Sequence, residues 1–246
     1  MNNADNFKPD IKIYKLTESR VQQIMQYVVY CYLQLLADKK TYHYAEKGKI
    51  PKEEYLRNGI VNDYLKKTYN KEYFKQHISD NPAVEISFHP EETMTYIDSE
   101  TSYQLSIDKI DIAVTENTLQ SIWSEKTDNE IRFAIECKRI VNLSDTSNYV
   151  SDIIKFCSRA FTHTRLPFEG QIAFIENSRI THTILHDKIN KVLEKRHSII
   201  TDSLLAQIVL DAKFSGSYLS KHIRNTNMQK FSIYHLLFDF SNIVVE

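Results

Sequence analysis

The sequence predicts an α/β chain, with a mixed sheet of four or more strands flanked by helices beneath an N-terminal helical layer. Three observations predict it. A broad apolar stripe at helical spacing runs from Val21 to Leu36. Two runs of period-two alternation, at 109–115 and 131–140, read as strands. A helix-patterned stretch and a short apolar run at 171–176 follow the second, which suits a crossover to a parallel strand. With 246 residues, 42% of them hydrophobic, the chain can fill one domain. Residues 1–80 read as mainly helical, 81–180 as the sheet core, and 181–246 as a helical part with a final strand.

Residues 1–10 are polar and carry no apolar signal-peptide segment. Ile11, Ile13 and Leu16 suit a short strand or a docking segment. Thr17 suits the N-cap of a long helix whose broad face holds Val21, Ile24, Met25, Val28, Val29, Tyr32, Leu35 and Leu36. Pro51 suits the first turn of a second helix reaching about Tyr69. Leu56, Ile60, Val61, Tyr64 and Leu65 form its apolar face, with Glu53 near the centre and Glu54 near the edge. Residues 71–80 read as a short helix, and Ala83–Phe88 alternates as a strand that His89-Pro90-Glu91-Glu92 breaks. The stretch 93–106 fits more than one reading. Asn117–Asn129 is a polar connection holding the only Trp, Trp123. Asn148–Phe161 reads as a helix that sets Lys155 and Arg159 four apart on one face. Helices over 184–197 and 200–212 follow, and 232–240 closes the chain as an aromatic strand joining the sheet.

Composition removes several function classes. The formal net charge is −1, so no global basic field advertises nucleic acid; any such contact needs a local patch. Three cysteines without CxxC spacing argue for free thiols in a reducing cytosol. No run approaches the ~20 apolar residues of a membrane span. Four glycines leave little room for a phosphate-cradling loop, and neither a Walker nor a dinucleotide fingerprint is present. His182 and His186 stand four apart, but no third ligand accompanies them, so they read as surface histidines.

The chemistry lies in the two alternating runs. Ile131, Phe133, Ile135 and Cys137 point one way along their strand; Ala134, Glu136 and Lys138 point the other. Charges on an interior strand are costly unless they are paired or hold a metal. In the preceding strand Asp111 lies across from Ile110, Ile112 and Val114, which puts it on the Glu136 side. Asp108 is its rival, with the opposite parity. Two carboxylates on adjacent strands offer hard oxygen ligands to a divalent cation. A lysine beside them can neutralise charge or hold an attacking water.

Within "KIDIAV" and "FAIECKRI", residues Asp111, Glu136 and Lys138 resemble the PD-(D/E)xK nuclease superfamily, which has the restriction-endonuclease-like fold. Lys109 and Ile110, rather than a Pro, precede the Asp. The resemblance implies a Mg²⁺-dependent DNA endonuclease, with Mn²⁺ as a substitute and a 5′-phosphate product. It assigns Asp111, Glu136 and the backbone carbonyl of Cys137 to the metal. Lys138 then serves the attacking water, and Glu53, or its rival Glu54, reaches the metal or its waters. It makes Lys155, Arg159 and Arg165 phosphate contacts beside the DNA cleft. The context it suggests is cytoplasmic restriction or phage defence, alone, as a homo-oligomer or with partner subunits. A catalytically silent scaffold subunit of the same fold is the competing class, and RNA remains an open substrate.

Overall fold

The computed structural model describes residues 11–98, 105–161 and 166–246. Its helices are α1 (Ile11–Ala37), α2 (Lys52–Ile60), α3 (Thr68–Tyr73), α4 (Asn117–Trp123), α5 (Thr146–Ser158) and α6 (His182–Leu193). Its main strands are β2 (Ile86–Asp98), β3 (Leu105–Glu116), β4 (Phe133–Ile140), β5 (Arg159–Phe161), β6 (Phe168–Ile175), β7 (Ile200–Gln207), β8 (Ser217–Ile223) and β9 (Lys230–Asp239). These form one sheet in the order β5–β2–β3–β4–β6–β9–β8–β7. β1 (Tyr42–His43) and β10 (Val244–Val245) make a small separate parallel pair. The large sheet is mixed: β4, β6 and β9 run parallel and the outer neighbours antiparallel. The predicted architecture of a mixed sheet flanked by helices, with a helical N-terminal layer, is what the chain adopts. No helix among the described residues is long and apolar enough to cross a membrane.

The order follows from burial. Every residue of β6 is buried, as a strand covered on both faces requires. Phe133, Ile135, Cys137, Ile172, Phe174 and Phe238 face the core built with α1 and α2. Ile140, Ala173, Ile175 and Leu237 face a second core built with α5 and α6. The residues that share a face in each strand alternate with those on the other, so one helical layer covers each side.

Helix α5 is fixed on its face by polar contacts as well as packing. The Tyr149 hydroxyl lies 2.9 Å from His235 Nδ1, and Gln171 donates to the Tyr149 carbonyl at 2.7 Å. Ser220 Oγ then bridges His235 Nε2, at 2.8 Å, to His222 Nε2, at 2.7 Å. Burial pushes the His222 pKa down to about 4 and that of His235 well below its ordinary value. Both rings are therefore neutral in the fold. Unfolded histidines take up protons near pH 6.5, so the unfolded chain binds more protons below that pH and acid weakens the fold. His222 alone should remove roughly 2–3 kcal/mol between pH 6.5 and pH 4. Urea midpoints across that window check this, and His222→Gln should flatten the slope.

Gly216 marks a close approach. A Cβ there would stand 2.5 Å from the Leu237 carbonyl oxygen, part of rigid backbone. Gly216→Ala should cost about 1–3 kcal/mol in urea denaturation at unchanged pH.

Several expectations are corrected. Ile11, Ile13 and Leu16 belong to α1 and not to a strand, because Ile13 and Tyr14 continue the helical stripe onto the core. Thr17 is therefore inside the helix; its hydroxyl bonds the Ile13 carbonyl at 2.8 Å and accepts from Trp123 at 3.0 Å. β2 runs straight through His89-Pro90, which pairs in register with Ala113 and Ile112. On its other side, among the described residues, β2 is paired only at Tyr96–Asp98, and a proline is tolerated on such an open edge. Asn117–Trp123 is a short helix, its end capped by the Glu116 carboxylate accepting from Thr118 and Leu119. The predicted helix over 200–212 is strand β7. Register shifts at Thr201–Ser203 and Ser203–Ala206 break its alternation, so its leucines mimic a helical stripe.

Candidate functional site

The β3–β4 ladder runs from Val114–Phe133 to Ile112–Ile135. Its next step would set Asp111 against Glu136. There the backbone pairing gives way, and the Cys137 N–H donates to Asp111 Oδ2 at 2.8 Å. The two carboxyl groups come within hydrogen-bonding reach of each other. The alternation read from sequence thus brings Asp111 and Glu136 together. Asp108 sits three residues away along β3, opposite Met94 of β2.

Glu53 comes to the same place from α2. Its Oε1 accepts from Lys138 Nζ at 3.1 Å, and its Oε2 from the Arg139 N–H at 2.9 Å. Glu54 turns away and shares its environment with Glu91 on β2, where burial and that carboxylate push its pKa up. Of the two rivals, Glu53 is the one that touches β4.

Three groups that the sequence reading passed over complete the arrangement. Arg57, 2% exposed, donates to Asp111 Oδ1 at 2.7 Å and to Glu91 Oε1 at 2.6 Å. Glu91 has a positive φ of 57°, an uncommon conformation for a side-chain-bearing residue, at the step that faces Asp111. Asp152 of α5 is 2% exposed and lies between two lysines. Lys155 Nζ is 2.8 Å from its Oδ1 and Lys138 Nζ 3.3 Å from its Oδ2. A signal for Arg57 and for Asp152 exists in the sequence. Arg57 falls on the apolar face of α2 between Leu56 and Ile60, and Asp152 on the α5 stripe between Tyr149 and Phe156.

The electrostatics single out Glu136. It is 8% exposed, its carboxyl shares a side-chain hydrogen bond with Asp111, and the Lys155 charge acts on it in the opposite sense. Burial first, then the charges of Asp111 and Asp152, hold its pKa well above the ordinary value. For Lys138, burial works to lower the pKa, but Asp152 and Glu53 outweigh it and hold the ammonium form. Around the site, Glu53, Glu54, Glu91, Asp111, Glu136 and Asp152 face Arg57, Lys109, Lys138 and Lys155. With every group charged, six carboxylates against four cations would leave the site net negative among the described residues. The site is not sealed, since the side chains of Asp111, Lys138 and Glu53 are 18%, 21% and 29% exposed.

Among the described residues no three His, Cys, Asp or Glu side chains form a ready-made cage. Mg²⁺ does not need one, because it keeps waters and is commonly held through one or two carboxylates. Each Asp111 oxygen, though already accepting one hydrogen bond, retains a second lone pair. Glu136 and Asp111 therefore fit a divalent cation by donor type and by the carboxylate repulsion that a cation would relieve.

The predicted phosphate contacts fare differently. Lys155 lies beside the site, tied to Asp152 and partly exposed. Arg159 does not continue the face of Lys155: α5 stops at Ser158, and Arg159 opens β5, which pairs with β2. The helical spacing that grouped the two is lost because the backbone leaves the helix to extend the sheet. Arg165 lies outside the described residues. His182 and His186 share α6, where His186 Nε2 bonds the Leu205 carbonyl at 2.9 Å. Comparison with protein-family models, curated proteins and solved structures finds no match to this chain.

Proposed function

We propose that the chain is a divalent-metal-dependent endonuclease of the PD-(D/E)xK type, hydrolysing phosphodiester bonds in DNA. The observation that carries the reading is the buried Glu136 carboxylate set against Asp111, with the Lys138 ammonium one side-chain step along the same face of β4. Asp111, Glu136 and, by resemblance, the Cys137 backbone carbonyl would hold Mg²⁺ or Mn²⁺. When bound, the cation supplies Lewis-acid polarisation of the phosphate and a more acidic water. The chain's own residues do the rest. Arg57 and the Cys137 N–H fix the Asp111 carboxylate. Glu53 and Asp152 hold Lys138 as an ammonium, placed to offset the negative charge that grows on phosphate oxygens as water attacks. Lys155 is a positive group at the rim for the substrate backbone.

The neutral overall charge leaves affinity to such local groups or to a partner subunit, in a restriction or phage-defence setting. Three free, buried cysteines support a reducing cytoplasm as the location. A second reading, a catalytically silent subunit, is favoured by one observation. The Arg57 guanidinium already gives Asp111 the positive partner that a cation would.

Purified protein with supercoiled plasmid and 5 to 10 mM Mg²⁺, roughly the range used for weakly held hydrated cations, separates the two. Nicking that Lys138→Ala removes supports the nuclease. Cleavage persisting in Lys138→Ala refutes the assignment of that residue. No cleavage, with no thermal shift by Mg²⁺ or Mn²⁺, supports the silent subunit.

A further inference from the structure

We propose that Asp152 is a positioning residue that, together with Glu53, fixes the direction of Lys138 beside the Asp111–Glu136 pair and ties Lys155 to the same point. The inference rests on the nuclease reading for its catalytic consequence, but its geometric content stands apart from it. Asp152 belongs to no motif and lies on a different element from all the residues the motif supplies.

The argument begins with burial. An aspartate 2% exposed in a helix that faces a sheet is costly unless it is paired. Here it has two ion-pair partners, both lysines. Lys155 is its neighbour one turn along α5, at 2.8 Å. Lys138 comes from β4, at 3.3 Å. The second contact lies within ion-pair distance but lacks hydrogen-bond geometry, and Asp152 Oδ2 has no hydrogen-bond partner. That oxygen holds Lys138 by charge and leaves the ammonium protons for other acceptors.

Lys138 is thus suspended between two carboxylates on opposite sides of the strand end. Glu53 takes it from α2 and Asp152 from α5. A four-carbon stem with several free torsions has no preferred direction by itself. Two fixed anchors give it one. The anchor on α5 is rigid, because Tyr149, one turn earlier, is bonded to His235 and to Gln171 beneath it. Asp152 also acts on Glu136 through its charge, as Lys155 does with the opposite sign. Removing Asp152 should therefore loosen Lys138 and Lys155 together while leaving Asp111 and its Arg57 contact in place.

The test compares Asp152→Asn and Asp152→Glu with the full-length wild type. Asparagine keeps the shape and removes the charge; glutamate keeps the charge on a longer stem. The first readout is the ¹H–¹⁵N signal of the Lys138 ammonium, assigned by its loss in Lys138→Arg. Ion pairing slows exchange of these protons with water, so the signal should be present in the wild type. It should be lost in Asp152→Asn and retained in Asp152→Glu. The second readout is plasmid cleavage under Mg²⁺. Asp152→Asn should lower kcat by about 10–100-fold with KM changed less than about threefold, and Asp152→Glu should recover most of it. The third is the thermal shift with Mn²⁺, which should persist in Asp152→Asn.

A Lys138 signal unchanged in Asp152→Asn overturns the proposal whether or not the protein cleaves DNA. Loss of the signal in both variants also overturns it, since charge retention then fails to rescue. Loss of the signal in Asp152→Asn alone, in a protein that never cleaves, upholds the positioning and sinks the nuclease. If Asp152→Asn does not fold, Lys155→Met removes the other partner of Asp152. The Lys138 signal should then persist, and its loss overturns the proposal.

Discussion

Glu136→Gln should raise the melting temperature of the metal-free protein and at the same time abolish divalent-dependent cleavage. The two effects have one cause. Glu136 is a buried carboxylate on which burial and the charges of Asp111 and Asp152 outweigh the opposing charge of Lys155. Its folded pKa is raised, so the native state binds a proton that the unfolded chain has released above about pH 4.5. Stability from this group is greatest at low pH and falls as pH rises through the folded pKa. At neutral pH burial and the neighbouring carboxylates penalise the charged form, and a neutral amide of the same shape removes that penalty. A gain of 1 kcal/mol corresponds to roughly 2–4 °C for a chain of this size. On the nuclease reading, a divalent cation bound to the wild type would offset the same penalty, contributing about 2.7 kcal/mol when present at a hundred times its Kd. Glu136→Gln should lose that cation-dependent shift together with at least ~100-fold in cleavage rate. Differential scanning calorimetry with and without Mn²⁺ reads the first, a plasmid assay the second. A variant that melts lower than wild type in the absence of metal would falsify the account of Glu136 as an uncompensated charge.

The parts of this arrangement that sequence reveals are those set by period. Alternation along 131–140 separates Phe133, Ile135 and Cys137 from Glu136 and Lys138, and the sheet keeps that separation because both faces are buried. Asp111 follows by the same parity. The crossover from β4 through α5 to a parallel β6 is legible because a helix-length connection between two apolar runs favours it. What period cannot supply is contact between elements. Arg57 sits on an apolar helix face, where sequence shows an anomaly but not the Asp111 and Glu91 carboxylates that satisfy it, one 54 residues away along the chain. Asp152 was hidden similarly, in a stripe read as apolar. The errors at Ile11–Leu16, at Pro90 and at 200–207 share a cause: short segments whose conformation is set by neighbours. Ile13 is drawn into a helix by the core, Pro90 is tolerated because its edge is open, and β7 loses alternation to two register shifts. Arg159 was placed by helical spacing that stops one residue before it.

Arg57→Met should be the most destabilising substitution at the site, and the way it is rescued separates the two functional readings. The guanidinium is buried and serves two carboxylates, Asp111 at 2.7 Å and Glu91 at 2.6 Å. Methionine keeps the apolar stem and removes the charge, which leaves Asp111 beside Glu136 with no positive neighbour in contact. Breaking a buried pair from one side costs about 3–5 kcal/mol, because a charge remains without compensation. For this chain length that is roughly 6–20 °C in melting temperature. Neutralising the stranded partner should return part of the loss: Arg57→Met with Asp111→Asn should be more stable than Arg57→Met alone by about 0.5–3 kcal/mol. A divalent cation offers the second rescue. If Asp111 and Glu136 form a cation site, the variant lacking Arg57 presents more uncompensated charge than the wild type. Mn²⁺ should then raise its melting temperature by more degrees than it raises that of the wild type. If Arg57 has instead taken over permanently from a cation in a silent subunit, Mn²⁺ leaves the wild type unmoved and stabilises only Arg57→Met. A loss below about 1 kcal/mol in urea denaturation, typical of surface substitutions and small defects, would show that Arg57 does not hold Asp111 in the folded protein. The fixed carboxylate that both readings share would then be gone.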